Sequence, residues 1–214
     1  MKKVHLCSGD VYLTGYENCD IVGFVLNENK TEAVSYTPGG HEKLILLHGN
    51  PNETTLDNYF KFPFEYDVSK RVRRYFIIDT YMNILGKWPW EDGTVDEIVS
   101  VSAFEHFEHM AQFPHHEGEL PHIISEAHRV LKPGGTWKFD FPNIKAVVER
   151  YNDENPEFMA ELIYCNHKNK YSVHQWGYTT KSVSQYVTPD KWSLEFKDVV
   201  THCYPMQGVH ATKL

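Results

Sequence analysis

A mixed α/β domain on a doubly wound, mostly parallel sheet is what this sequence predicts, and three observations predict it. Val95 to Val101 is a β-branched run entered from the turn Glu91-Asp92-Gly93, with too few polar positions for a strand wetted on one face. Such runs are strands covered on both faces of a parallel sheet. Leu120 to Leu131 puts Ile123, Ile124, Ala127, Val130 and Leu131 on one helical face, and Lys132-Pro133-Gly134-Gly135 stops that helix. Thr136 to Phe141 then reads as strand again, and strand–helix alternation places helices over a parallel sheet. Ligands of such sheets sit beyond the carboxyl ends of strands, so Ser102, Glu105 and His106 are the first candidates for chemistry.

Taken in order, Val4 to Cys7 is a short strand closed by the turn Ser8-Gly9-Asp10, where Gly9 lets a ligand approach the main chain. A second strand ends near Asp20, a position from which a carboxylate accepts hydrogen bonds from ribose hydroxyls. The segment 24–74 carries turn signals at Asn27-Glu28-Asn29-Lys30, Pro38-Gly39-Gly40 and Asn50-Pro51-Asn52, a strand at Lys43 to His48, and the alternating Phe60-Lys61-Phe62-Pro63-Phe64. It reads as an insertion, forming a cover over the site or a surface for a partner subunit, with a homodimer as one arrangement. Arg74 to Asp79 is a strand ending in a carboxylate. Ala103 to Met110 starts a helix, Ile144 to Tyr151 and Glu157 to Tyr164 are helices, and Thr180 to Val187 is the last. Trp192 to Tyr204 supplies one or two closing strands, and Pro205 to Leu214 is expected to be a loose tail.

A chain of 214 residues is expected to fold as one domain, 1–214. Its net charge of −8 argues against a broad phosphate-binding face and so disfavours nucleic acid; Lys70 to Arg74 is the one dense cationic cluster. Four cysteines without a CxxC pair read as buried thiols in a reducing compartment. No apolar leader precedes the first strand and no stretch approaches the ~20 apolar residues of a membrane span, so a cytoplasmic location is expected. His106, His109, His115, His116 and His122 with Glu105, Glu108 and Glu117 form a stretch rich in metal-ligating types, but no recognised ligand spacing appears, and no metal is expected.

Several segments together resemble class I S-adenosylmethionine-dependent methyltransferases, with a Rossmann-like fold. Trp88 to Asp96 is similar to their "LPF-x-DGSFD" segment, Ser102 to His106 to "xxLEH", Glu126 to Gly135 to "E-xx-RVLKPGG", and Trp137 to Asn143 to "L-x-I-x-x-PN". His174 to Thr179 resembles an "H-x-WG-T/F" piece, and Leu6 to Asp20 follows the spacing of "LxLGCGxxxxxGWxNxD", both found in a bacterial subgroup. The resemblance covers about 1–22 and 75–187. It departs at Cys7 and Ser8, where the family has glycine and then cysteine or threonine, and the added side chain at Cys7 would crowd the methionine end of the cofactor. The resemblance implies S-adenosyl-L-methionine as cofactor, with Cys7 and Gly9 against its methionine part, Asp20 on the ribose, Asp79 and Met82 at the adenine, and Ser102 near the sulfonium. It implies methyl transfer to an oxygen or nitrogen of a small-molecule or glycan-type acceptor. His106 would be the general base, Glu105 its orienting partner, and His174, Trp176 and Tyr178 the lining of the acceptor pocket. A cofactor-binding protein without catalysis, and an enzyme that cleaves the cofactor, are the alternatives.

Overall fold

The computed structural model describes residues 1–35, 42–50, 52–57, 76–107, 118–149, 156, 160, 163–165, 173–201 and 204–214. Its centre is a seven-stranded sheet. The strands, in chain order, are β1 (Lys3–Leu6), β3 (Glu17–Asp20), β9 (Thr80–Tyr81), β10 (Val95–Ser100), β11 (Leu131–Pro142), β12 (Trp192–Thr201) and β13 (Tyr204–Lys213). Across the sheet the order is β12-β13-β11-β10-β1-β3-β9. Strands β9, β3, β1, β10 and β11 run parallel, and β13 is antiparallel to both of its neighbours. The chain leaves β1 toward β3 on one side and returns to β10 on the other. That reversal is the topological switch point where α/β sheets bind ligands.

Helix α1 (Glu119–Val130) packs its apolar stripe, Leu120, Ile123, Ile124, Ala127 and Val130, onto one face of the sheet. There Trp137 and Phe139 of β11 meet Phe104, whose ring stacks on Phe139 at 4.2 Å. Short helices α2 (Ile144–Glu149) and α3 (Thr180–Tyr186) come later in the chain, the latter opened by a reciprocal Thr179–Ser182 capping box. Arg129 of α1 bonds to Glu126, to Asp92 and to the carbonyls of Trp88 and Trp90, and Glu126 accepts the Trp88 N–H. The Glu126–Arg129 part of the "E-xx-RVLKPGG" motif therefore fastens the turn that feeds β10.

No helix joins β1 to β3: residues 7–16 make the connection through the two-residue strand β2 (Tyr12–Leu13), which pairs with β7 (Glu53–Thr54). The side chain of Asn18 satisfies this loop from inside the sheet, accepting from Leu13 N–H and donating to the carbonyls of Leu13 and Tyr16. A four-stranded sheet, β6-β5-β4-β8 (Lys43–Ile45, Glu32–Ser35, Phe24–Leu26, Ile77–Ile78), lies between β3 and β9 in the chain. Of the stretch expected as one strand over 74–79, Ile77–Ile78 alone is strand among the described residues, and it belongs to the four-stranded sheet, while β9 of the central sheet begins only at Thr80; the residues 58–75, with Phe60–Phe64 and the Lys70–Arg74 cluster, lie outside the described residues. The tail expected to be loose is strand β13, inserted between β11 and β12. Lys213 Nζ donates to the carbonyls of His128 and Leu131, satisfying orphan acceptors at the end of α1. Among the described residues no helix is long and apolar enough to cross a membrane.

His5 is buried beside Asn18, its Nδ1 3.0 Å from Oδ1, and burial lowers its pKa to about 4. The unfolded chain takes up this proton near its ordinary 6.5, the folded protein not until about 4. The stabilisation is therefore complete above pH 6.5 and is lost as the pH falls toward 4, by about 3 kcal/mol. Urea unfolding at pH 7.5 and pH 4.5 should show this loss in the wild type and a smaller one in His5→Gln. Equal pH dependence in the two proteins would remove His5 as its origin.

Candidate functional site

The carboxyl ends of β1, β3 and β10 converge, and the backbone is bent sharply at two of them. Cys7 and Ser102 take left-handed conformations, φ 52° and 50°, as does Gly9 at φ 54°. For residues with a side chain this conformation costs roughly 1–2 kcal/mol each, and such strain gathers at functional sites. The bend after β1 is held by Ser8 N–H on the Cys19 carbonyl and Gly9 N–H on Asp20 Oδ2 at 2.9 Å. The bend after β10 is held by Ser102 N–H on Asp140 Oδ1 at 2.6 Å. An added Cβ on Gly9 would meet no atom within 4 Å, so open space lies over this turn.

Asp20 faces that space. Its Oδ1 accepts from the N–H groups of Ile21 and Val22 and its Oδ2 from Gly9, which together leave lone-pair capacity for one more donor. Burial pushes its pKa up against the pull of these three bonds. The Cys7 thiol is held up by burial and then by the charges of Asp20 and Glu105.

Glu105 and His106 lie in a 3-10 turn, Phe104–His106, rather than in a long helix; residues 108–117, with His109, His115, His116, Glu108 and Glu117, lie outside the described residues. The turn holds the segment 173–176 against it, because the Glu105 carbonyl accepts from Gln175 N–H at 2.6 Å and Trp176 N–H at 3.3 Å. That brings His174 onto His106, ring centroids 4.9 Å apart, and puts His174 Nε2 3.9 Å from Glu105 Oε1. His106 Nδ1 lies 3.0 Å from the Val173 carbonyl, and burial lowers the pKa of the ring. Glu105 is 1% exposed, neither of its carboxyl oxygens has a hydrogen-bond partner, and burial, then the Asp140 charge, raises its pKa well above the usual range. Ser8 Oγ and Ser102 Oγ are also buried without a hydrogen-bond partner.

Of the residues predicted from sequence, Cys7, Gly9, Asp20, Ser102, Glu105, His106 and His174 come together at this edge. Asp79 does not: it sits one residue before β9, level with Asn18, its carboxylate holding Tyr12 Oη–H at 2.7 Å and the Asn18 backbone and side-chain N–H groups. Past β9, near the level of Asp20, the chain places buried Met82, in the core beside Ile84, and exposed Asn83. Tyr178 is a core residue, its ring edge-on to Phe104 and Phe141, and Trp176 packs against the same core. Two site residues were missed as such, Ser8 and Asp140. The second was visible as an acidic residue near the end of a strand, in Asp140-Phe141-Pro142-Asn143.

The cost of a left-handed Cys7 is isolated by comparing two variants that both lack the sulfur. Cys7→Gly should be more stable than Cys7→Ala by about 1 kcal/mol in denaturant unfolding. Equal stabilities would mean that the bend tolerates a Cβ without strain.

Residues 67–139 match the model of a methyltransferase domain. No curated protein matches the chain. Among solved structures, it is similar to a protein from Pyrococcus horikoshii OT3, at 16% identity and TM-score 0.48, over 100% of this chain and 82% of that one. A methyltransferase dependent on S-adenosylmethionine from Methanosarcina mazei is similar at 15% identity and TM-score 0.47, over 100% and 92%. A "possible exported protein" from Bordetella parapertussis is similar at 12% identity and TM-score 0.44, over 64% of this chain but 44% of that one.

Proposed function

We propose, from the premise that this chain is a class I S-adenosylmethionine-dependent methyltransferase by its domain match and motifs, that it methylates an oxygen or nitrogen of a small-molecule or glycan-type acceptor. The observation that carries the reading is the convergence of the Gly9 turn, Asp20, Ser102 and the Glu105–His106 pair around the switch point between β1 and β10.

The site fits the cofactor. Ser8 Oγ and Ser102 Oγ are buried and lack partners, and a ligand with ammonium and hydroxyl groups supplies them. Asp20, with one acceptor position left, would accept from one ribose hydroxyl; Gly9 and Cys7 would lie against the amino-acid end. The adenine end is assigned to the segment after β9, Met82 and Asn83, because Asp79 is committed to Tyr12 and Asn18. Bound there, S-adenosylmethionine supplies a methyl already activated on a sulfonium. The protein's share is alignment, worth ~7–11 kcal/mol when geometry is right, and proton removal, worth ~10²–10⁴-fold.

His106 is the group proposed to take the proton. A carbonyl can only accept, so its Nδ1 carries the hydrogen that meets the Val173 oxygen, and Nε2 carries the lone pair. The lowered pKa keeps the ring neutral near pH 7, ready to accept. The segment 173–176 pinned to the Glu105 carbonyl, with His174 and Trp176, would form the acceptor side.

Calorimetry with S-adenosylmethionine and S-adenosylhomocysteine tests the cofactor half: wild type should bind both, and Asp20→Asn should lose roughly tenfold or more, the worth of one charge-assisted hydrogen bond. His106→Ala should keep the cofactor affinity and lose ~10²-fold or more of methyl transfer. A wild type that binds neither ligand would mark a non-binding fold. Release of cofactor fragments without any acceptor would mark a cleaving enzyme, and full turnover in His106→Ala would take the proton elsewhere.

A further inference from the structure

We propose that Glu105, His106 and His174 are a binding site for a divalent transition-metal ion of the zinc class. One ligand atom from each lies within 4.8 Å of the other two. Sequence spacing gave no sign of it, because His174 is 68 residues beyond His106 and reaches it only through the fastening of 173–176 to the Glu105 carbonyl.

Three features point to a metal rather than to a chance meeting of side chains. First, both carboxyl oxygens of Glu105 are buried and have no hydrogen-bond partner, an arrangement that costs stability unless something supplies one. Second, both imidazoles turn Nδ1 to a backbone carbonyl, His106 to Val173 at 3.0 Å and His174 to Ile163 at 3.2 Å. Those contacts fix the hydrogen on Nδ1 in each ring and leave Nε2 as the coordinating nitrogen. Outer hydrogen bonds of this kind orient metal-ligating histidines. Third, His174 Nε2 points toward the carboxyl, 3.9 Å from Oε1.

Tetrahedral zinc with bonds of ~2.0–2.1 Å needs ligand atoms about 3.4 Å apart, so atoms now within 4.8 Å of one another have to close by up to about 1.4 Å on binding. Two imidazoles and one carboxylate suit zinc, nickel, copper or iron over magnesium or calcium, which prefer oxygen sets. Three protein ligands leave a position for water. The ion would also make the ionised form of Glu105 tenable in a place where burial opposes it.

The consequence for catalysis rests on the reading of His106 as base. An ion on His106 Nε2 and a proton on the same nitrogen exclude each other, so the metal-loaded protein is the inactive form and a chelator restores it.

The test uses untagged full-length protein stripped with chelator and titrated with Zn²⁺ and Co²⁺, following heat and the visible bands of low-coordinate cobalt. One equivalent should bind to the wild type and raise its melting temperature, while Glu105→Gln and His174→Gln should each weaken binding at least tenfold and lose that rise. Absence of stoichiometric binding in the wild type overturns the proposal, as does undiminished binding in both variants. Should one variant fail to melt cooperatively, the wild type and the other decide. Methyl transfer with no metal binding would leave the function standing and remove the site. Metal binding that leaves transfer unchanged would keep the site and remove His106 as the base.

Discussion

The side chain of Asn18 is the constraint on which the carboxyl edge of the sheet at β1 and β3 depends. It is fully buried in β3, and its amide accepts from the Leu13 N–H, donates to the carbonyls of Leu13 and Tyr16, meets His5 of β1 and reaches the Asp79 carboxylate before β9. A parallel connection ordinarily spends a helix to return the chain. Here ten residues do it, and of the polar groups that a helix would satisfy within itself, the Leu13 N–H and the carbonyls of Leu13 and Tyr16 are satisfied by one amide, others by backbone bonds and Asp20. Three neighbouring strands are tied to one point, so the ends of β1 and β3 sit at matching heights and the Gly9 N–H can meet Asp20.

The part of the chain legible in advance was the part whose local signals and tertiary roles agree. The β10 run, the stripe of α1 and the Pro-Gly-Gly stop are each dictated by periodicity or turn chemistry, and each stands within a residue or two of its expected place, although β11 begins already at Leu131. What failed was decided over long distance. Asp79 ends an apolar run and so resembles a strand-end carboxylate, yet Ile77–Ile78 of that run pairs in the four-stranded sheet and the carboxylate is taken up by Tyr12 and Asn18. Residues 204–213 carry Pro205, Gln207, Gly208 and His210, too polar and too mixed to announce a strand, and they become one because β11 and β12 offer it two edges.

The site was legible as types rather than as an arrangement. Gly9, Asp20, Ser102 and the Glu105–His106 pair fall at strand ends, where position along the chain already implies position in space. The partnership of His174 with that pair depends on backbone hydrogen bonds to the Glu105 carbonyl, which leave no trace in residue types. Asp140 belongs to the same class: it comes near the end of β11 and is drawn to the site because Ser102, in a left-handed bend, turns its N–H toward it.

The placement of β13 also shapes how the molecule is made. Every other strand of the sheet precedes it in synthesis, yet it lies inside the sheet, ten residues paired with β12 and seven with β11. Until those residues have left the ribosome, β11 presents an open edge along the strand that carries Trp137, Phe139 and Phe141, a combination prone to pairing with other chains. The core around β10 and α1 can gather earlier, but one flank stays adhesive until nearly the last residue described is in place. Nascent chains stalled before 204 would be the species a chaperone has to shield.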